Sequence, residues 1–371
     1  MRKALVFIYQ NWVLPAYAKL FATSFERLLR TDTNGDFCVK QIFEGAGGAY
    51  VGNNVIEINS RPENFTVLLN GKKARFRDRR NADFFYLYGS GIDIFKHILL
   101  RDAVRYNTPK IFVEDGFLRS IDLPFAEPGV SLLIDDISVY YDARYPSRLE
   151  NLLNSDIRLS ETQLSRARNV MKKIRETKVT KYNLAPIYEP KIGRPGVTKI
   201  LVIDQAYRDF SIPFGLASDD SFEEMLACAI RENPEADIIV KTHPEAFRGG
   251  RKGYFTHTKR EGNVYPYTDP ICPLSLLEYV DKVYCVTTQM GFEALMCGKE
   301  VSCFGMPFYA GWGLTDDRVK CERRTKTRSL EEVFYFAYIE YAKYMNPNTG
   351  KLCKIEEAID YLVAKRDQPP G

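Results

Sequence analysis

The stretch DKVYCVTTQMGFEALMCGKEVSCFGMPFYAGWGLTDD, residues 281–317, decides the fold class of this chain. Lys282 to Val286 is apolar enough for a buried strand, and Glu300 to Phe304 has the same character. Between them, the spacing predicts a helix that begins near Thr287-Thr288 and is closed by Gly298. A strand, a helix and a parallel strand in this order form a βαβ unit.

The turn before this helix has the composition of a phosphate site. Thr287 and Thr288 supply hydroxyl groups beside the free N–H groups of a helix start, which favour anions. Gly291 would let a ligand approach the backbone, and Glu293 could accept hydrogen bonds from sugar hydroxyls. The following loop, residues 305–313, is rich in glycine and aromatic residues, and we expect it to form a wall beside the site.

Composition limits the classes of protein that need to be considered. A chain of 371 residues with 45% hydrophobic and 27% charged residues is typical of a soluble enzyme of two domains. The net charge of +4 is too small to indicate a nucleic-acid partner. The eight cysteines form no CxxC pair, so we expect reduced thiols in a cytoplasmic protein that needs no metal.

The sequence also bears on contact with membranes. No segment approaches the ~20 apolar residues that span a bilayer, so membrane contact would be peripheral, at the inner membrane. Residues 72–80 contain six basic side chains. This run is either a solvated surface or a patch that faces anionic lipid headgroups, and the former is the more frequent case.

Two βα patterns are separated by a linker. The first places strands at 83–88, 110–113 and 131–135, and the second restarts with strands at 199–203 and 237–240. Residues 185–196, with three prolines and two glycines, have the composition of a linker. We therefore expect an N-terminal α/β domain (1–190), a C-terminal α/β domain (196–326), and helices (327–371) that pack back on the first domain.

Polar residues follow four of the predicted strands, where open α/β sheets bind ligands. They are Glu114 and Asp115, Asp209 and Ser211, Lys241 and His243, and Thr287 and Thr288. Lysine, histidine and threonine suit a phosphate, whereas carboxylates suit acid/base or nucleophilic work. Each residue also has a structural alternative: Asp209 could cap a helix, His243 could be a core histidine, and Glu114 could form a surface salt bridge. Together they describe sugar transfer from an activated nucleotide.

Several motifs, in order, resemble the KpsC-type capsule polysaccharide β-Kdo transferases. They are EDGFLRS (114–120), SLLIDDISVYYDARYPSRLE (131–150), KYN (181–183), QAYRDFS (205–211), KTHPE (241–245), GFEAL (291–295), GMPFYAGWGLTDDR (305–318) and MNPNTGKLC (345–353). The resemblance covers residues 85 to 355 and implies an α/β fold of GT-B type, with two Rossmann-like domains facing across a cleft.

The resemblance also implies an activity. Members transfer Kdo from CMP-β-Kdo with retention, which requires a carboxylate nucleophile. The family's QxxxDxS motif falls on Gln205, Asp209 and Ser211, so Asp209 is the expected nucleophile. Members often carry two adjacent acids there, whereas this chain has Arg208 before Asp209.

Other roles follow from the same resemblance. Glu114 or Asp115 would be the acid/base, and Glu293 would meet the ribose of the cytidine. Arg119 would pair with a Kdo carboxylate. The donor phosphate would be bound by a set of donors without any metal or cofactor: Lys241, His243, Thr287 and Thr288.

The sequence leaves three functions open. The first is Kdo transfer to a Kdo-bearing lipid or saccharide acceptor, in the company of capsule assembly proteins. The second keeps the fold but changes the donor or the acceptor, as in O-antigen synthesis. The third is a non-catalytic module that binds a capsule glycolipid for export.

Overall fold

The computed structural model describes residues 55–58, 84–89, 94–122, 127, 129–243, 252–349 and 351–368. The expected strand at 4–9, the helix at 14–29, the hairpin at Asn70-Gly71 and the basic run at 72–80 lie outside these residues. Contacts divide the chain into two compact units. The first comprises Met1–Asp115, Leu132–Val139 and Met345–Leu352, and the second comprises Gly116–Ser131, Tyr140–Tyr344 and Cys353–Gly371.

The second unit contains a six-stranded sheet whose strand pairs are all parallel. In chain order its strands are β5 (Lys199–Ile203), β6 (Asp237–Lys241), β7 (Val264–Tyr267), β8 (Lys282–Cys285), β9 (Glu300–Cys303) and β10 (Asp316–Asp317).

The order of these strands creates a reversal point. In the sheet they stand in the order β10-β9-β8-β5-β6-β7, so the chain winds outward from β5 in one direction and from β8 in the other. The carboxyl ends of the two adjacent strands β5 and β8 therefore border the crevice where doubly wound sheets bind ligands. Both β5 and β6 are buried along their whole length, as expected for strands that are covered on both faces.

The other sheet has the order β1-β2-β3-β4-β11-β12 and holds most of the first unit's strands. Its strands are β1 (Val55–Ile58), β2 (Phe84–Tyr88), β3 (Lys110–Asp115), β4 (Ser131–Asp135), β11 (Ala342–Asn346) and β12 (Lys351–Cys353). The first three are parallel, and β4 is antiparallel to β3. The chain is thus a mixed α/β protein with parallel sheets.

The described helices follow the chain in the order predicted by the alternating pattern. They are α1 (Ile94–Tyr106), α2 (Arg148–Asn154), α3 (Glu161–Thr177), α4 (Ser211–Phe214), α5 (Asp220–Glu232), α6 (Pro273–Tyr279), α7 (Met290–Met296), α8 (Leu330–Phe334) and α9 (Ile355–Arg366). The Ser147 side chain accepts a hydrogen bond from the Glu150 N–H at the start of α2, which confirms the predicted cap.

Two predicted helix boundaries are wrong. The spacing of Ser221 and Glu224 in the sequence predicts a capping box, but α5 already begins at Asp220, and Ser221 accepts a hydrogen bond from the Ser218 N–H instead. The aromatic helix expected over 329–344 ends earlier: α8 continues as a π-helix, Tyr335–Tyr341, and Ala342 begins β11. The proline-rich segment 185–196 lies within the second unit, and the predicted domain bounds stay a prediction.

Candidate active site

The carboxyl ends of β5 and β8 are joined by a reciprocal pair of hydrogen bonds. Gln205, two residues after β5, donates from Nε2 to Thr287 Oγ1 at 2.9 Å. The backbone N–H of Thr287, two residues after β8, donates to Gln205 Oε1 at 2.8 Å. An amide side chain has both a donor and an acceptor, so it can satisfy both groups of one threonine at once. This pair fixes the two strand ends at the reversal point of the sheet.

Asp209 and Ser211 extend this arrangement. Ser211 donates to Asp209 Oδ1 from its backbone N–H at 2.9 Å and from its hydroxyl at 2.7 Å. The hydroxyl oxygens of Ser211 and Thr287 are 3.2 Å apart. We call Gln205, Asp209, Ser211 and Thr287 the switch-point cluster. The structure therefore brings together four of the residues that the sequence singled out.

The conformation of Asp209 leaves one of its oxygens available. Its side chain is half-buried, and Oδ1 accepts both bonds from Ser211. Among the described residues, no group donates a hydrogen bond to Oδ2. A carboxylate that is oriented through one oxygen, with the other oxygen directed elsewhere, has the geometry required of a nucleophile.

Glycines allow the turns of the cluster to approach one another closely. A Cβ at Gly305 would lie 2.7 Å from Thr287 Cγ2, and one at Gly215 would lie 2.4 Å from the same methyl group. The backbone N–H of Met306 also donates to the Gly215 carbonyl at 2.6 Å. Thr287 is thus enclosed by backbone on two sides, and a larger residue at either glycine would move it.

If the donor phosphate lies beside Thr287, as the sequence predicts, Gly305→Ala should weaken binding of CMP by about tenfold, because displacement of Thr287 disturbs its bonds to Gln205. Isothermal titration with CMP measures the effect. The double variant Gly305→Ala/Thr287→Ser lacks the obstructing methyl group but keeps the hydroxyl, so it should recover most of the affinity. An equal loss in both variants would contradict this account.

The glycine-rich loop after β9 does border the site. The Tyr309 hydroxyl donates to the Thr288 carbonyl at 2.7 Å, and the Met306 and Trp312 side chains are fully buried. Arg324 Nη1 donates to the carbonyls of Pro307 and Ala310, at 2.5 and 2.6 Å. The loop is therefore a wall held by internal hydrogen bonds, as its composition predicted.

Thr288 and Glu293 are placed around α7. The Thr288 hydroxyl accepts a hydrogen bond from the Met290 N–H, the first of the helix, at 3.3 Å, while the N-cap position itself is Gln289. Glu293 is 5% exposed, and Gln289 Nε2 donates to its Oε1 at 3.2 Å. Gln289 Nε2 also donates to the Phe117 carbonyl at 2.8 Å. Burial raises the pKa of the Glu293 carboxyl to about 7, and contact with the ribose stays a prediction.

Lys241 and His243 follow β6. Burial lowers the pKa of the Lys241 ammonium to about 8, and its Nζ lies 5.3 Å from the centre of the Tyr267 ring. This nitrogen donates to the Thr242 carbonyl at 3.2 Å. The backbone N–H of His243 donates to Asp204 Oδ2 at 3.3 Å, and the side chain is half-buried. Phosphate contact by Lys241 and His243 stays a prediction.

Asp204 is an organising residue that the sequence reasoning missed. It is 2% exposed and accepts hydrogen bonds from the backbone N–H groups of Gln205, Tyr254 and His243. Burial raises the pKa of its carboxyl. The signal available in the sequence was an acid directly after the wholly apolar end of strand KILVI. Asp204 connects the turn of the switch-point cluster to the turn that carries His243.

The remaining predicted residues have other surroundings. Arg119 is fully buried, and its Nη1 donates to Ser120 Oγ at 2.7 Å and to the Glu127 carbonyl at 3.1 Å. Its contact with a Kdo carboxylate stays a prediction. Asp115 is buried, and Glu114 Oε1 accepts a hydrogen bond from the Asp115 N–H. Both acids belong to the first unit, and their acid/base role stays a prediction.

Two kinds of feature, a metal-holding cluster and a membrane-spanning helix, are absent from the described residues. Within them, no group of three or more His, Cys, Asp or Glu side chains is arranged to hold a metal ion. No helix in the described part of the chain combines the length and the apolar character that crossing a membrane requires.

The chain was compared with known protein families. The model of the family described as "Capsule polysaccharide biosynthesis protein" matches residues 96–192 and 164–346, which is well over half of the chain. The chain belongs to this family.

Curated relatives in this family are longer than the chain. The capsule polysaccharide modification protein LipA of Neisseria meningitidis serogroup B is 44% identical over 286 residues, which are 74% of this chain and 40% of LipA. The lipopolysaccharide-processing protein LpsZ of Rhizobium meliloti is 38% identical over 72% of this chain and 62% of its own length. The chain thus spans about two fifths of the length of LipA.

Solved structures in the same family are similar over most of the chain. The β-Kdo 2,4 transferase of Thermosulfurimonas dismutans KpsC is 39% identical, with a TM-score of 0.77 that covers 83% of this chain and 97% of that one. The β-Kdo 2,7 transferase of the same KpsC is 25% identical, with a TM-score of 0.60 over 85% of this chain. The predicted membership of the KpsC-type family is therefore confirmed.

Proposed function

We propose that this chain is a retaining glycosyltransferase of GT-B type that moves Kdo from CMP-β-Kdo onto a Kdo-bearing glycolipid or saccharide, and so builds the β-Kdo linker of a capsular polysaccharide. The observation that carries the proposal is the switch-point cluster, which holds a carboxylate with one uncommitted oxygen at the ligand-binding edge of a doubly wound sheet. The similarity to two β-Kdo transferases supports the identity of the sugar.

The first step is attack by Asp209. Its Oδ2 forms a bond to the anomeric carbon C2 of Kdo while the bond from C2 to the phosphate oxygen breaks, and CMP leaves with the electron pair. The hydrogen bonds from Ser211 to Oδ1 hold the carboxylate in place during the attack. His243, Lys241, Thr287 and Thr288 would stabilise the leaving phosphate without a metal ion.

The second step releases the sugar to the acceptor. Glu114 or Asp115 takes the proton of an acceptor hydroxyl, whose oxygen attacks C2 from the opposite face while the bond to Asp209 breaks. Two inversions at C2 return the β configuration, by the logic of retaining glycosidases. The reaction would take place in the cytoplasm, with peripheral contact to the inner membrane where the lipid acceptor resides.

A direct test is the product formed from CMP-Kdo and a synthetic Kdo-lipid acceptor, analysed by NMR. We expect a β-linked Kdo, and the spectrum reports the donor, the anomer and the linkage together. Transfer from CMP-sialic acid or from UDP-sugars but not from CMP-Kdo would favour the alternative donor. Acceptance of O-antigen fragments alone would change the acceptor class.

The non-catalytic alternative makes a different prediction for the same mixture. A module that only binds the capsule glycolipid for export would show acceptor binding but no release of CMP. The orientation of Asp209 by two hydrogen bonds from Ser211 argues against that alternative, because glycolipid binding alone gives no role to a carboxylate held in this way.

His243→Ala should weaken binding of CMP-Kdo by about tenfold or more, because a hydrogen bond to a charged phosphate would be lost. Titration calorimetry with CMP-Kdo measures this loss. His257, which is exposed on the same unit, supplies the matched control, and His257→Ala should bind normally. Unchanged donor affinity in His243→Ala would remove this residue from the site.

A further inference from the structure

The residue before the candidate nucleophile has an unusual backbone conformation. Arg208 has a φ of 60°, in the left-handed region that favours glycine. Non-glycine residues in this region are concentrated at functional sites, where the surrounding structure holds them in place. Here the Arg208 N–H points to the Tyr254 hydroxyl at 3.4 Å, and the preceding Tyr207 N–H donates to the Lys252 carbonyl at 2.7 Å. The chain thus has an arginine at a position where glycine would fit without strain.

The Arg208 guanidinium is displayed on a platform of aromatic rings. Its central carbon lies 5.2 Å from the centre of the Tyr207 ring. Tyr207 in turn meets Tyr254 edge to face at 5.2 Å, and Tyr254 is stacked on the buried Phe222 at 3.8 Å. This column of three rings connects the exposed guanidinium to the core. The platform limits the orientations that the guanidinium can adopt.

Arg208 has no acidic partner among the described residues. The nearby carboxylates are committed elsewhere, since Asp219 accepts from the Tyr254 hydroxyl at 2.7 Å and Asp204 accepts from backbone N–H groups. Asp209 accepts from Ser211 through Oδ1, and within the described residues its Oδ2 forms no ion pair with Arg208. An exposed guanidinium beside a candidate nucleophile is therefore available for an anion from outside the protein.

Asp209 and Arg208 are directed toward different neighbours of β5. Asp209 contacts Ser211, which adjoins Thr287 after β8. The Arg208 guanidinium lies near the Tyr207 ring, which meets Tyr254, and the Tyr254 N–H donates to Asp204. The two side chains therefore serve different parts of the site, and the predicted donor phosphate lies on the side of Thr287.

We propose that Arg208, with the Tyr207 ring, recognises the carboxylate of the acceptor sugar acid and so selects an acceptor that already ends in Kdo. This inference rests on the proposed function, and it adds a specificity-determining residue to it. A guanidinium binds a carboxylate through two parallel hydrogen bonds, and an aromatic ring packs against the apolar face of a sugar. The acceptor of the proposed reaction carries both features.

The test compares two ligands, the methyl glycoside of β-Kdo and its analogue in which the carboxylate is reduced to a primary alcohol. Binding to the protein in the presence of CMP is measured by NMR titration, and transfer from CMP-Kdo to each is measured separately. For the unmodified chain, we expect the acid to bind at least about tenfold more tightly than the alcohol.

Arg208→Gly removes the guanidinium and also suits the left-handed backbone, so a loss cannot be attributed to backbone strain. We expect it to lower affinity for the acid about tenfold and to leave the alcohol and the affinity for CMP unchanged. Arg208→Lys should recover only part of the preference, because an ammonium cannot form the paired bonds. Leu216→Gly, at another left-handed position on the same unit, beyond α4 (φ 57°), is the control and should retain the preference.

The outcomes separate the two proposals. If Arg208→Gly weakens both ligands equally, or weakens CMP, the inference about the acceptor carboxylate is overturned. If the acid is preferred through Arg208 but no transfer occurs, the inference stands and the proposed catalysis fails. If the unmodified chain transfers Kdo equally well to the acid and to the alcohol, the proposed catalysis stands and the inference about the acceptor carboxylate fails.

Discussion

Asp209→Asn is expected to reduce the rate of Kdo transfer at least about a thousandfold, because the amide cannot form the covalent bond to the sugar. The replacement is close in shape, and its carbonyl oxygen can still accept the hydrogen bonds that Ser211 donates to Oδ1. CMP affinity and the thermal midpoint should therefore remain near those of the unmodified chain. Release of CMP from CMP-Kdo in the presence of acceptor measures the rate.

A matched control is available on the same unit. Asp220, at the start of α5, is exposed, so Asp220→Asn changes the net charge equally but should transfer normally. Mass spectrometry of the unmodified chain after incubation with CMP-Kdo alone should show a Kdo adduct on the peptide that contains Asp209. Transfer by Asp209→Asn at the normal rate would rule out the covalent route proposed here.

Glu293→Gln is expected to change how stability depends on pH. Burial raises the pKa of Glu293 from its ordinary value of 4.5 to about 7. The folded chain therefore keeps a proton that the unfolded chain loses between these two pH values. The free energy of unfolding of the unmodified chain must fall as the pH rises through this window, by about 3 kcal/mol from this group.

Glutamine has no proton to lose, so the variant should not show this decline. Relative to the unmodified chain, the free energy of unfolding of Glu293→Gln should rise by about 3 kcal/mol between pH 4 and pH 8. Urea unfolding across this range measures the difference. Glu224→Gln on the exposed face of α5 is the control, and it should follow the unmodified chain. Parallel curves for Glu293→Gln would show that Glu293 does not hold its proton in the fold.

The strands could be predicted because a strand that is buried on both faces consists mainly of apolar residues. The interiors of strands such as β5 and β6 consist of consecutive apolar residues, and polar residues begin where the strands end. Gln205 and Thr287 of the switch-point cluster could be singled out because each follows such a run by two residues. Adjacent parallel strands must bring those positions together, whatever the intervening chain does.

The failures have physical causes as well. The predicted capping box at Ser221 and Glu224 matched the local pattern, but α5 begins one residue earlier than Ser221, so that hydroxyl is used by Ser218. The helix expected to reach residue 344 gives way to a strand because pairing in the first sheet outweighs helical periodicity. The bonds of Asp204, which the sequence reasoning missed, depend on contacts between distant segments, which no local pattern encodes.

The wall formed by residues 305–313 has a consequence for the energetics of binding. Arg324 is buried, bonded to two carbonyls of the loop and paired with Glu150, so the loop is ordered by contacts within the protein. Fixing a flexible backbone costs roughly 1 kcal/mol per residue, a cost already met here during folding. If the proposed nucleotide donor binds against this surface, it meets a rigid template, and its association should proceed at a rate set by encounter and not by loop closure.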